Sequence, residues 1–265
     1  MNLKNQIEIL IEENAEDFTI AKIFKNHIKE HNLSLNDYFL KSAGKDFSIH
    51  HAKMYDTLLK LMYKVVIRKA FGNYLPMINT IPIALVALGS YGREQLSVYS
   101  DIDLMIAYRE IAGYNTKPLI EKLLYLAWDS GFNLGHRVHE VNDLLDASRK
   151  DITIKTSLIE ARFIGGSIFT WNEVQNEIKA IRFDDQEKFI SEKVTEAKER
   201  FLKYPQSMQP NIKEGFGGLR DAQLVFWILK VLYNVNSIKN QSVNLFTDEE
   251  YRDFRISLEF LFKVR

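Results

Sequence analysis

The chain contains no cysteine among its 265 residues. That excludes disulfides, zinc–thiolate centres and cysteine nucleophiles, and it fits a reducing compartment. Net charge is also missing, because 35 basic residues balance 35 acidic ones. No global field therefore favours a nucleic acid or a membrane surface, and any anion site has to be local. Long apolar runs are absent too. Met1–Glu13 mixes Lys, Asn and Glu with apolar residues, unlike a signal peptide. No stretch approaches the roughly 18 apolar residues of a membrane span. These absences lead us to expect a cytoplasmic protein with neither nucleic-acid nor membrane partners.

What is present is ordinary globular material, with 46% apolar and 26% charged residues. Residues 1 to about 75 carry helical spacing, first through Ile7, Leu10 and Ile11, then through Phe18, Ile20, Ile23, Phe24 and Ile28. A longer helix is expected over His50–Phe71, with Asn73, Pro76 and Pro82 breaking the pattern. Ile83–Leu88 and Ile102–Ala107 are short apolar runs bounded by turn residues, hence buried strands. Pro118–Ser130 reads as an amphipathic helix with proline in its first turn and Gly131 as its stop. Gly135–Val141 alternates and is a candidate third strand. From Leu144 onward helices are expected at 151–161, 168–181, 185–203, 219–234 and 247–265, with Gly165-Gly166 and Tyr204–Gly218 as interruptions. The expected fold is α+β and mostly α: an N-terminal helical region (1–78), a small mixed-sheet core (79–150) and a helical domain (151–265). The last helix carries no stop signal, so the chain is expected to be truncated from something longer.

The chemistry concentrates between residues 89 and 103. A strand ends at Leu88, and Gly89-Ser90-Tyr91-Gly92-Arg93 follows. Glycine lets backbone approach a ligand closely. A helix starting near Ser90 would offer free N–H groups and a positive dipole end to a phosphate. The Ser90 hydroxyl can donate to a phosphate oxygen, and Arg93 adds a fixed positive charge. Then comes Ser100-Asp101-Ile102-Asp103-Leu104. Residues i and i+2 of a strand share a face, so Asp101 and Asp103 project together. Two adjacent carboxylates repel unless a cation lies between them, and hard oxygen ligands suit Mg²⁺, which also takes substrate phosphates. A pair of such ions serves to activate an attacking oxygen and to neutralise a leaving pyrophosphate.

Gly89-Ser90, ten residues, then Asp101-Ile102-Asp103 resembles the signature of the DNA-polymerase-β-type nucleotidyltransferase superfamily. The fuller string ALVALGSYGREQLSVYSDIDLMI resembles the protein-PII uridylyltransferase branch. So does Asn211–Asp221, which is similar to that family's Lys-x-Gly-x-Gly-Gly-Leu-Arg-Asp motif, and so does Asp151–Gly166. A related domain paired with CBS modules shares the first motif and is expected to lack the Gly-Gly-Leu-Arg-Asp segment. The resemblance implies a small mixed sheet followed by a helical domain. It also implies transfer of UMP from UTP, with Mg²⁺, to a tyrosine hydroxyl of the PII signal protein, releasing pyrophosphate. Carried over by position, Gly89 and Ser90 hold the triphosphate and Asp101 and Asp103 the metals. The third carboxylate of the superfamily falls on the strand near 135–141, where Glu140 is the only acid and would serve as ligand or proton acceptor. The HD-type hydrolase and ACT domains of the family do not occur in these residues.

Other residues admit two readings each. Glu160 and Arg162 are either a local ion pair worth under about 1 kcal/mol, or Arg162 reaches a nucleotide phosphate. Lys213, Arg220 and Asp221 either build a structural turn and a capped helix, or supply a base, Lys213 above all, that closes over the triphosphate. His136 and His139 suit a surface or substrate-contact role rather than a metal pair, since a strand does not bring i and i+3 together. Tyr125, Trp128, Phe226 and Trp227 are expected in helices as core.

Overall fold

A computed structural model describes residues 2–72, 74–234 and 246–265; Asn73, expected to break a helix, lies outside them. Three helices open the chain: α1 (Leu3–Glu12), α2 (Asp17–Lys41) and α3 (Gly44–Phe71). The sheet follows, as β1 (Ile83–Ala87), a one-turn helix α4 (Gly89–Gly92), β2 (Ile102–Tyr108), α5 (Lys117–Asp129) and β3 (Leu134–Glu140). Next come α6 (Leu144–Lys150), α7 (Ile152–Ile159) and β4 (Arg162–Gly166). The remainder is helical: α8 (Ile168–Phe183), α9 (Gln186–Lys203), α10 (Leu219–Tyr233) and α11 (Asp248–Val264). The chain is a mostly helical α+β protein around a small mixed sheet, as its periodicities require. Among the described residues, no helix is long and apolar enough to cross a membrane.

The sheet order is β3-β2-β1-β4. β1 is antiparallel to both β2 and β4, while β2 and β3 run parallel, joined through α5. Alternation splits the strands between two cores. Ile83, Leu85, Ala87, Ile102, Leu104 and Ile106 pack with α1, α2, α3 and α5. Ala84, Val86, Leu88, Met105 and Ala107 pack with Leu144, Leu158, Trp171, Val174 and Ile181 from the opposite side. Both faces are covered, which explains why β1 is apolar at every position instead of alternating. A third, smaller cluster of Ile159, Phe189, Trp227 and Val231 fastens α9 and α10 to the end of α7.

β4 falls between the helices expected at 151–161 and 168–181, where only an interruption was expected. Its apolar content is only Phe163 and Ile164, and it ends on the two glycines read as a mere interruption. Gly166 has φ +92°, and Gly165 lies under the Lys60 stem, where a Cβ would sit 3.3 Å from Cγ. The glycines are there because β4 is pressed against β1 and α3. Two helical aromatics are also not core: Tyr125 is 62% and Trp128 40% exposed, whereas Trp227 is buried.

Candidate functional site

The site grows from the turn between β1 and α4. Gly89 has φ +54°, a region that glycine occupies freely. A Cβ there would lie 2.8 Å from Asp103 Oδ2, so a side chain at 89 would collide with the carboxylate. The same holds on the other side, where a Cβ on Gly135 would lie 2.8 Å from Asp103 Oδ1. Glycines thus flank Asp103 on both neighbouring segments and leave its oxygens open. The backbone binds the two halves together, since the Leu88 amide donates to the Asp103 carbonyl at 2.9 Å.

Helix α4 is a single turn. The Gly92 amide makes its first internal bond, to the Leu88 carbonyl at 2.8 Å. The amides of Gly89, Ser90 and Tyr91 have no acceptor among the described residues, as at any helix start. One turn contributes little macrodipole, so these amides and the Ser90 hydroxyl are what the turn offers an anion. Gly92 is packed tightly: a Cβ would lie 2.5 Å from the Glu160 carbonyl and 2.9 Å from that of Ala87.

Asp101 precedes β2 and is exposed, and its Oδ1 accepts from Asn133 Nδ2. Asp103, on the first turn of the strand, is half-buried. Burial, and next the charge of Asp101, hold its carboxyl above the usual carboxylate range, while Arg137 and Arg93 pull it back. The two carboxylates repel each other as the spacing requires. Two hard-oxygen ligands fit Mg²⁺, which keeps its remaining positions for water and phosphate. Among the described residues no third acid or histidine joins them.

Glu140 is not brought to this pair. In the β2/β3 register Asp103 lies beside Gly135, and Glu140 lies beside Tyr108 at the far end of the strand. Five residues of strand span about 16 Å, and an odd separation also puts Glu140 on the opposite face. Its carboxylate is used locally, accepting from the Asn142 amide at 2.8 Å and from Asn142 Nδ2 at 3.1 Å, with Arg109 Nε 4.0 Å away.

Glu160 and Arg162 do not pair with each other, and Arg162 is not free for a phosphate. Its guanidinium makes a two-point contact with Asp56 at 2.7 and 3.0 Å, and Tyr91 Oη donates to the same carboxylate at 2.6 Å. Arg162 also donates to the Tyr91 carbonyl at 3.3 Å. Tyr91 is fully buried, and burial first, then Asp56, pushes its hydroxyl well above the ordinary value. This triad locks α4 to α3 and β4. Arg93, one turn from Ser90, meets Gln95 Oε1 at 3.0 Å and pairs with Glu160, which also accepts from Trp227 Nε1 on α10. The Gly-Ser turn is thereby tied to the helical region behind it.

The glycine-rich segment 211–221 is a built turn. Asn211 Oδ1 accepts from the Lys213 and Glu214 amides at 3.1 and 2.9 Å, and Asp221 Oδ2 accepts from the Gly217 amide at 2.7 Å. A Cβ on Gly218 would lie 2.8 Å from the carbonyls of both Ile212 and Gly215. Lys213 is half-exposed, with Glu214 3.8 Å from its amine. Arg220 is held within the segment, its Nε donating to Glu214 Oε1 at 3.4 Å and its Nη1 to Gln223 Oε1 at 2.8 Å, while Arg265 donates to Ser100 Oγ at 3.2 Å. Arg137 is the basic neighbour that sequence reasoning missed. It lies two residues along β3 from Gly135, on the face of Asp103, a position that strand parity alone would have given.

A Gly-Ser turn closed onto an Asp-x-Asp pair at the end of the two central strands of a small mixed sheet is an arrangement of the nucleotidyltransferase class. The chain belongs, more narrowly, to the PII-uridylyltransferase family. A family model described as GlnD PII-uridylyltransferase matches residues 188–265. The chain is 34% identical, over 79% of its length, to the bifunctional uridylyltransferase/uridylyl-removing enzyme of Nitrobacter winogradskyi. Enzymes of the same name from Methylococcus capsulatus and Novosphingobium aromaticivorans are 36% and 31% identical over 69% and 84% of it. The chain covers 23%, 21% and 25% of those three relatives, so it spans about a quarter of their length.

Proposed function

We propose that this chain carries a Mg²⁺-dependent uridylyltransferase site that moves UMP from UTP to a tyrosine hydroxyl of a PII-type signal protein and releases pyrophosphate in the cytoplasm. The observation that carries the reading is the close approach of the Asp103 carboxylate to Gly89, which leaves no room for a Cβ there. It brings the turn that we read as a phosphate cradle beside the acid that we read as a metal ligand. In this reading the Gly89, Ser90 and Tyr91 amides and the Ser90 hydroxyl hold phosphate oxygens, while Asp101 and Asp103 hold two Mg²⁺ ions. The ions, when bound, supply charge neutralisation for the leaving pyrophosphate. Arg137 adds positive potential around the anion, while Arg93 is held by Glu160 behind the turn. Glu140 takes no part, and with no third acid beside the pair among the described residues the incoming hydroxyl gives its proton to water.

The test is incorporation of labelled UMP from UTP–Mg²⁺ into PII. Labelling by the wild-type chain, lost in Asp101→Ala and Asp103→Ala, supports the proposal. UTP binding without labelling of any acceptor rejects it. The lack of a third acid at the pair favours one alternative, a nucleotide-binding module without turnover, and that second result is what it requires.

A further inference from the structure

Strand β3 is an edge strand that starts beside the carboxylate pair. It follows β2 at the end of the sheet, and no strand among the described residues covers its other side. Gly135, His136, Arg137 and Val138 are all exposed, on both faces of the strand. The Asn133 carbonyl accepts from the Ile102 amide at 2.8 Å, so Asn133 points its peptide groups at β2. Alternation along a parallel pair then turns the backbone groups of Leu134, His136 and Val138 outward. Exposed edges of this kind pair with other chains unless they are short, charged or blocked. Beside this edge lies an aromatic strip: Trp128 stands edge-on to Tyr125 at 5.7 Å and to His136 at 5.2 Å, and both α5 aromatics are exposed. From His136 to His139 the strand carries basic and apolar side chains only, with Arg137 close enough to Asp103 to act on its carboxyl.

We infer that the acceptor is an extended polypeptide segment that adds to the sheet as a strand along β3, between the aromatic strip and the carboxylates. The inference rests on the proposed transferase reading and adds to it the mode of acceptor docking. Main-chain bonds to the outward groups of Leu134, His136 and Val138 supply affinity, as in other strand additions. Register supplies aim: Gly135 is the neighbour of Asp103, so a hydroxyl side chain opposite Gly135 meets the two carboxylates with no β3 side chain in between. Arg137 and His136 select a segment with carboxylates flanking that hydroxyl. Trp128 and Tyr125 receive its apolar side chains.

The experiment uses the whole chain, UTP–Mg²⁺ and purified PII as acceptor. Hydrogen exchange is measured on β3 with and without saturating PII. The expected result is slowed exchange at the His136 and Val138 amides, with the β2-facing amides of Gly135 and Arg137 changing less. Val138→Pro removes one outward donor at a position where an edge strand tolerates proline. It is expected to raise the KM for PII at least tenfold and to leave the calorimetric affinity for UTP–Mg²⁺ within twofold. Trp128→Ala is expected to raise the same KM severalfold. Labelling of PII by wild-type chain with no protection on β3, or a folded Val138→Pro variant with unchanged KM, overturns the docking mode and leaves the transferase reading standing. UTP bound but no PII labelled by the wild type overturns both.

Discussion

Two groups of charges lie on either side of the one-turn helix α4, and they are treated in opposite ways. Behind the helix, Asp56, Arg162 and the Tyr91 hydroxyl satisfy one another, as do Arg93, Glu160 and the Trp227 indole. In front of it, Asp101 and Asp103 share a face, the first exposed and accepting from Asn133, the second half-buried and held above its ordinary range. Burying a charge is costly unless it is paired. The rear group meets that condition within the chain and is structural. The front group does not: the half-buried Asp103 makes no salt bridge among the described residues and faces a second carboxylate, and that contrast, more than the presence of acids, marks the site.

The sharpest test separates activity from stability at the front. Asp103→Asn removes a carboxylate that burial and Asp101 both disfavour in its charged form. The sign follows from linkage. A folded-state pKa above the unfolded one makes the ionised acid a liability that grows as pH rises through the carboxylate range, so the amide relieves it at pH 7. Transfer is expected to fall about a thousandfold, the loss of several kcal/mol of metal-mediated stabilisation, while Tm stays level or rises. A large drop in Tm would make Asp103 a structural residue and erase the contrast.

The rear is expected to behave in the reverse manner. Asp56→Ala leaves the Arg162 guanidinium and the buried Tyr91 hydroxyl without their acceptor, a loss of about 3 kcal/mol in urea-unfolding stability. The triple replacement Asp56→Leu, Arg162→Met and Tyr91→Phe removes the whole group, and recovers most of that loss if the group is structural. Nucleotide affinity lost in the triple variant at full stability would instead put Arg162 back in the site.

Much of this was legible in the sequence, and the limits are physical. β1, β2 and α5 announced themselves through apolar runs and Pro118, and the nearness of Gly89 to Asp103 follows from one strand–turn–strand unit. β4 did not, because a five-residue strand with two apolar side chains and two terminal glycines has no period of its own. The partner of Arg162 did not either, since Asp56 is 106 residues away and no local pattern reports it. Glu140 was the only acid on its strand, but its parity and distance from Gly135 depend on the register with β2, which pairing decides. The glycines of 211–221 were readable as a turn; that Arg220 is held there by Glu214 and Gln223 was not, because it depends on how the turn closes onto α10.

A third charge-capable group, in the N-terminal helices, extends the contrast to groups kept neutral. His31 Nε2 and His51 Nδ1 are 3.1 Å apart, and the rings stack at 5.3 Å. Burial first, then neighbouring histidines, lowers both to about 4. Each ring is therefore neutral at pH 7, one donating and one accepting. In the unfolded chain both titrate near the ordinary histidine value. As pH falls through about 6.5 the unfolded state takes up protons that the folded state refuses, so stability is lost from there down to about 4 and no further below it. Because the two rings share one hydrogen bond and His31 is only partly buried, the expected loss between pH 7 and 5 is about 1–2 kcal/mol. Urea unfolding at the two pH values measures it. His51→Gln should be less stable at pH 7 and about half as pH-sensitive; an unchanged slope would mean that the acid sensitivity arises elsewhere.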